Sequence, residues 1–445
     1  MAQRIQISDH FTFGRLLRFA FPSIIMVIFT SLYGVVDGLF VSNITGDDAF
    51  AAVNLFLPVF YILSSVGFML GSGGAALISK LFGERDEQTA RRHFGGLLVI
   101  VSGVSVVFTL STVFVMPQMA TALGAEGDVY GYCVVYGRWM LGGLPLFILQ
   151  TFFQYFFAVA DRPKLGLIIT VAAGATNMLG DFLLIYVAGM GVVGAAVATI
   201  VGEAVGGAIP LAYFFIKKGK RLYFGKPIFV VKDLLKICAN GSSELLANLA
   251  TSIVSVMYNF QLLRYIGTDG VVAYGVIMYV AFIFVGCYLG FSVGTAPIVG
   301  YNYGAQNRDE LKNVYKKSMI FNAVAAAAML VISQALARPL AAIFVSYDAR
   351  LLDLTTHALR IYSASFLLCG FNIYASGFFT ALNNGLISAI ISMVRTLAAQ
   401  SVAVFVMPLI FGINGIWTAT VVAEIIAIIV AGVMFTAFRK KYGYM

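Results

Sequence analysis

The chain has 445 residues, 60% of them hydrophobic and only 11% charged, and its mean hydropathy is +0.92. A soluble domain is about a quarter charged, so no water-soluble fold could bury this much apolar surface. The net charge of +9 would suggest nucleic acid in a soluble protein, but here the placement of the basic residues excludes that partner and points to a lipid bilayer.

A bilayer core about 30 Å thick needs roughly 20 apolar residues per helix, and such stretches recur from end to end. Spans are expected near 15–42, 50–79, 94–117, 130–158, 165–188, 192–216, 235–265, 270–300, 313–337, 354–380, 386–410 and 413–437. The first is too long for a cleavable signal peptide and lacks a small-residue cleavage pattern, so it is expected to stay in the protein. With the N-terminus inside, cytoplasmic segments hold Arg4, Arg15 and Arg18, then Lys80, Arg85, Arg91 and Arg92, then Arg162 and Lys164, and the stretch Lys217 to Lys236. Arg308, Lys312, Lys316, Lys317, Arg439, Lys440 and Lys441 continue the series. The opposite loops offer only Arg264, Arg338 and Arg350, among acids that include Asp47, Asp48, Glu126 and Asp128. The positive-inside rule then gives an even number of spans, both termini cytoplasmic, in a multi-pass protein of the plasma (inner) membrane. The cysteines Cys133, Cys238, Cys287 and Cys369 stand singly, with no CxxC and no histidine cluster, so neither a disulfide framework nor a transition-metal site is expected.

An internal repeat sets the organisation. Gly46 matches Gly267 and Gly83 matches Gly304, each 221 positions on, and Gly194 to Glu203 lies against Gly415 to Glu424 at the same offset. Around the fourth and tenth spans the offset becomes 222, pairing Arg138 with Arg360 and Phe156 with Phe378. Chance similarity between apolar segments would not hold a near-constant offset across separated landmarks. Six spans per half give both halves the same membrane orientation, a parallel repeat about an axis along the membrane normal. The expected division is an N-terminal six-helix lobe over 1–218, a cytoplasmic linker over 219–234 and a C-terminal six-helix lobe over 235–445.

Ionisable groups at membrane depth are costly and mark function by default. Asp37, Asp181 and Thr199 fall at similar depth in the first half, and Asn177 precedes Asp181 by four residues, on the same helix face. Two carboxylates, an amide and a hydroxyl at one level could bind Na⁺ through hard oxygen ligands, share a proton, or simply hold helices together. By the 221 offset Asp37 falls on Tyr258 and Asp181 on Val402, so the second half carries no equivalent acids, which argues against a purely adhesive role. Glu203 and Glu424 repeat in both halves, each four residues after a threonine, and suit a packing role as well as a functional one. Arg138 and Arg360 read as interface anchors, and the deeper Arg395 as a counter-ion for a carboxylate. The run Gly71 to Gly74 has no GK[ST] after it and reads as close helix packing, not a phosphate loop.

The ordered set Pro22, Asp37, Pro58, the loop Lys80 to Asp86, Asn177 with Asp181, Gly191 to Thr199, Pro297 and Gly304 resembles the multidrug and toxic compound extrusion (MATE) family over nearly the whole chain. It is most similar to a bacterial and archaeal branch whose cation site is matched by Asp37, Asn177, Asp181 and Thr199. The resemblance implies an all-α membrane fold of two pseudo-symmetric six-helix lobes arranged as a V. It also implies export of amphipathic, often cationic, small molecules in exchange for Na⁺ or H⁺, with no other cofactor and no obligate protein partner. Glu203, Glu424 and Arg395 remain secondary candidates. The second half departs from the first: Ser243 stands where the first has Pro22, and span seven carries Glu244 only near its cytoplasmic end.

Three other readings compete. A flippase for lipid-linked oligosaccharide precursors would line its cavity with more bases than Arg138, Arg360 and Arg395. A membrane enzyme would need a constellation such as paired histidines with a carboxylate, whereas His10, His93 and His357 lie at or near loops. A channel fits poorly with carboxylates confined to one lobe.

Overall fold

A computed structural model describes residues 5–217 and 219–445, apart from the side chains of Leu39, Ser42, Asn43 and Asp47. Arg4 and Lys218, and the side chain of Asp47, which figured in the charge pattern, lie outside the described residues. Among those residues twelve helices are long and apolar enough to cross a bilayer. In chain order they are α1 (Phe13–Gly38), α2 (Asp48–Gly83), α3 (Glu87–Val113), α4 (Gly127–Val159), α5 (Pro163–Val187) and α6 (Gly191–Phe215). The second half supplies α7 (Val231–Tyr265), α8 (Thr268–Gly304), α9 (Arg308–Val345), α10 (Ala349–Ala381), α11 (Gly385–Phe411) and α12 (Ile413–Tyr442).

Several helices outrun the apolar windows from which they were expected. At 36 residues, α2 is about 54 Å long, well beyond the hydrocarbon core. The surplus turns of α3 and α9 are polar and start at side-chain caps. Asp86 accepts from the Thr89 amide at 3.1 Å, and Asn307 accepts from the Glu310 amide at 3.1 Å. A short helix, Met116–Ala122, follows α3 and lies mostly in the interval between the third and fourth expected spans.

The repeat is written into the backbone. Left-handed residues recur at Arg85 and Gln306, 221 apart, and at Asp161 and Asn383, 222 apart. Gly46 and Gly267 share a φ near 90°, at +94° and +89°, where a side chain would be strained. These positions are the turns between α1 and α2, α2 and α3, and α4 and α5, with their counterparts in the second half.

At the end that carries the termini the halves are pressed together. A Cβ on Gly241 of α7 would sit 1.9 Å from the Met69 carbonyl of α2, and one on Gly73 would sit 2.1 Å from that of Ile237. Gly83 and Gly304 are crossed in the same way by Tyr301 and Lys80 carbonyls at 2.0 Å, and Gly290 of α8 by Ile24 of α1 at 2.5 Å. Such approaches admit only glycine, the means by which membrane helices gain packing without a hydrophobic drive. At the other end Gly34, Gly38 and Gly275 meet nothing within 4 Å. The two halves therefore meet at one end and part toward the other.

Candidate functional site

Asp37 lies near the parted end of α1, and Asp181 is the last α-helical residue of α5 before a wider π-helical turn, Phe182–Val187. Such turns recur at functional sites because they re-aim side chains. The two carboxyl groups face each other within hydrogen-bonding reach, and the Asn177 amide reaches Asp37 as well. The same amide donates to Thr199 Oγ1 at 3.3 Å. All four residues singled out from the sequence thus form one cluster, with Asp181 fully buried and Asn177 nearly so.

The cluster is short of donors. Asp37 Oδ1, both Asp181 oxygens and Asn177 Oδ1 are buried without a hydrogen-bond partner among the described residues. Ionised carboxylates can only accept hydrogen bonds, so the donors this set lacks could come from a proton shared between the acids, or its oxygens could serve as ligands to a cation. Glu203 of α6 stands close enough for the charge of Asp37 to act on it, and it too has a buried, unpartnered oxygen, Oε2. Tyr33 and Tyr61 lie in the same electrostatic neighbourhood, and Gln150 Nε2 donates to the Tyr33 hydroxyl at 3.3 Å. Gln150 reaches that position because residue 206 is glycine: a Cβ there would meet its side-chain oxygen at 2.1 Å.

The corresponding place in the second half is neutral and satisfied. Tyr258 donates to Gln400 Oε1 at 3.0 Å, and its hydroxyl lies 2.8 Å from Thr420 Oγ1. Tyr258 and Thr420 occupy the places of Asp37 and Thr199. Gln400 plays the part of Asn177, although it lies 223 positions on, because a π-helical turn at Val394–Ala398 takes up an extra residue just before it. In that register Asp181 corresponds to Val404 instead of the Val402 given by a constant offset; either way the acid has become a valine.

Arg395 lies within that turn and finds a carboxylate. Its Nε is 2.8 Å from Glu424 Oε1, and Asn372 Nδ2 donates to Glu424 Oε2 at 2.6 Å. Glu203 and Glu424, equivalent by sequence, therefore differ in state: one faces further acids, the other is neutralised. Arg138 and Arg360 are exposed, as expected of groups that reach the interface. In the glycine run, Gly71 admits the Tyr155 ring and Gly73 the α7 backbone. Glu244, which the sequence shows only as a carboxylate near the cytoplasmic end of span seven, lines a small cavity between the halves.

Comparison with known proteins agrees with this architecture. The chain is 26% identical to the multidrug export protein MepA of Staphylococcus saprophyticus over 437 residues, 96% of this chain and 94% of that protein. It is 24% identical to MepA of Staphylococcus haemolyticus with the same coverage. Among solved structures, MATE in complex with MaL6 superposes with a TM-score of 0.92 at 22% identity, covering 99% of this chain and 100% of that one. An outward-facing multidrug resistance MATE transporter of the MOP superfamily gives 0.90 at 23% identity, covering 98% of each. The MatE pattern itself matches twice, at residues 22–183 and 245–406, once in each half of the repeat, and the chain accordingly belongs to the MatE family of membrane transporters.

Proposed function

We propose that the protein is a secondary antiporter of the plasma membrane that exports amphipathic, often cationic, small molecules in exchange for Na⁺ or H⁺, with Asp37, Asn177, Asp181 and Thr199 as the coupling site. The observation that carries this reading is the cluster of unpartnered acid oxygens in the first half set against the neutral Tyr258, Gln400 and Thr420 network in the second. A coupling ion can drive transport only if it binds one conformation better than the other, and an acid cluster near the parted end of one lobe suits that requirement. Multidrug export, the activity named for the similar staphylococcal proteins, supports the substrate class. The flippase reading is weakened because Arg395, the deep base, is already paired with Glu424. Both termini and the 219–234 linker face the cytoplasm in this scheme, and the lobes 1–218 and 235–445 rock about the cleft between them.

The test is organic-cation efflux from proteoliposomes under separately imposed Na⁺ and H⁺ gradients, for the parent and for Asp37→Asn and Asp181→Asn. One gradient should drive export by the parent, and neither should drive it in the variants. Gradient-driven export by both variants at the parent rate would remove these carboxylates from coupling.

A further inference from the structure

A groove opens on the flank of the molecule where the chain passes from one half to the other. Its walls are His93, Leu97 and Ile100 of α3 and Leu234 and Ile237 of α7, and the segment 228–231 runs between them. The groove measures about 160 Å³. An apolar space of about 150 Å³ suffices for a benzene-sized group, so this one holds a length of hydrocarbon chain. Close packing fixes its shape. The Ile228 amide donates to the Arg92 carbonyl at 3.3 Å. The chain crosses α3 there over two glycines: a Cβ on Gly95 would lie 2.4 Å from the Gly225 carbonyl, and one on Gly96 2.2 Å from that of Ile228.

The border of the groove is apolar and basic. Phe229 and Val231 are 61% and 71% exposed, and Leu235, one turn beyond Val231, is exposed as well. Large apolar side chains bared where the chain leaves the helix bundle belong in lipid, not in water. The charged residues between positions 226 and 237 are Lys226, Lys232, Asp233 and Lys236, and on α3 Arg92 immediately precedes His93. Asp233, the one acid among these five, is already engaged, 3.1 Å from Lys236 and 3.7 Å from His93. Asp86, whose charge also reaches His93, is engaged by the α3 N-terminus that it caps. Arg92 makes no ion pair among the described residues, and its Nε is buried without a hydrogen-bond partner there. Lys226 and Lys232 are exposed and likewise make no ion pair among the described residues. The mouth of the groove therefore carries positive charge that the protein does not balance.

We propose that this groove binds an anionic phospholipid from the leaflet at the closed end, with an acyl chain between α3 and α7 and the phosphate held by Arg92, Lys226 and Lys232. An apolar slot with unbalanced bases at its mouth complements that molecule in both parts, hydrocarbon and charge. The site does not depend on the efflux reading. Because α3 belongs to the first half and α7 to the second, parting of the halves at this end would draw the walls of the groove apart. A lipid bound between them therefore favours the arrangement in which this end is closed.

The experiment reconstitutes the purified full-length protein in phosphatidylcholine nanodiscs with a small, equal fraction of phosphatidylglycerol or phosphatidylcholine carrying a diazirine on the acyl chain. After irradiation, lipid adducts are located by peptide mass spectrometry, and thermal melting of each variant checks that it is folded. Phosphatidylglycerol should label residues 93–100 and 228–237 at least about tenfold more than phosphatidylcholine does. A base near an anionic headgroup is worth about 1 kcal/mol, so Lys232→Gln should lower that preference about fivefold, and Arg92→Gln with Lys232→Gln should remove it. Ile100→Trp, which fills the groove, should abolish the adducts there with both lipids and leave those elsewhere unchanged. Equal labelling by the two lipids in the parent would mark ordinary boundary lipid and overturn the site, as would a preference within about twofold of the parent in the double variant. Changing Arg439, Lys440 and Lys441 together to Gln should leave the preference intact; its loss would make the attraction a property of the whole surface and overturn the site. Erasure of the preference by millimolar glycerol phosphate would show a site for the free anion and overturn the assignment to lipid.

Discussion

The pair Arg395 and Glu424 allows a quantitative test of how the second half is held together. Glu424 is 2% exposed at its side chain and Arg395 19%, with 2.8 Å between them, and Asn372 satisfies the second carboxylate oxygen. Arg395→Met removes the guanidinium and leaves Glu424 with the Asn372 amide alone. Breaking a buried pair from one side costs roughly 3–5 kcal/mol, because the remaining charge is stranded. Glu424→Gln strands Arg395 instead and should cost somewhat less, since Arg395 is the more exposed and still feels Glu244. The double variant Arg395→Met with Glu424→Gln strands neither charge and should recover to within about 1 kcal/mol of the parent, since replacing a whole buried pair is close to neutral. The assay is a double-mutant cycle on the stability of the reconstituted protein, by reversible denaturant titration. A coupling energy of at least about 2 kcal/mol is expected. Additive single effects would show that the two groups do not act as a pair, and the account of the second half as the neutralised copy would fail.

Three further outcomes follow. With cysteines introduced singly at the exposed positions Asp48 and Lys226, an impermeant reagent applied to intact cells should label the first and miss the second; the reverse pattern would invert the topology. Arg138→Lys and Arg360→Lys keep a terminal charge able to reach the interface, so transport should stay within about threefold of the parent, and loss of transport at normal expression would draw either residue into the mechanism. Arg221 lies over the Phe82 and Tyr301 rings, 4.7 and 5.1 Å from their centroids, and pairs with Asp161 at 3.2 Å, so it bridges both halves at the closed end. Arg221→Ala should loosen that end by about 1 kcal/mol, read as a roughly fivefold rise in labelling of a cysteine placed at the buried Ser79, and unchanged labelling would remove Arg221 from the closure.

What the sequence made legible is what the bilayer enforces. Hydropathy must run for the thickness of the core, so twelve spans could be counted, although their polar extensions beyond the membrane could not, since caps such as Asp86 and Asn307 lie outside the apolar windows. Depth was legible as well, and with the four-residue spacing it was enough to bring Asp37, Asn177, Asp181 and Thr199 together. Azimuth was not. Nothing in the local sequence says that Glu203 turns toward Asp37, or that Glu244 turns into the interface between halves, because a residue's rotation about its helix is set by packing with helices distant in the chain. The partner of Arg395 was foreseen as a carboxylate without an identity, and the role of Gln400 was hidden because the turn at Val394–Ala398 displaces it from the constant offset. A repeat read by fixed spacing fails where one copy has taken up an extra residue.

The two halves show how one scaffold yields a single acid cluster. A duplicated chain begins with two equal sites, and two equal sites on opposite sides of a rocking cleft would let an ion bind either lobe. Here the framework has stayed equal, down to the left-handed turns at Arg85 and Gln306 and at Asp161 and Asn383. The chemistry has diverged at four places. Tyr258 replaces an acid with a hydroxyl that bonds the local amide and threonine, a valine replaces the second acid, Arg395 cancels Glu424, and at the 222 offset that holds up to the turn Ala173 in the first half stands where the second has Arg395, leaving Glu203 with no base. Arginine could not simply be exchanged into the first half, because Ala173 is only 2% exposed and its neighbour Gly174 is so closely packed that a Cβ there would already lie 2.5 Å from Phe29 and 2.9 Å from Tyr33. Tyr33 lies beside the acids as well, within reach of the charges of Glu203 and Asp37. The packing that seals the acid cluster therefore also keeps out the base that would neutralise it, and the second half, free of that constraint, has exchanged its acids for a settled hydrogen-bond network.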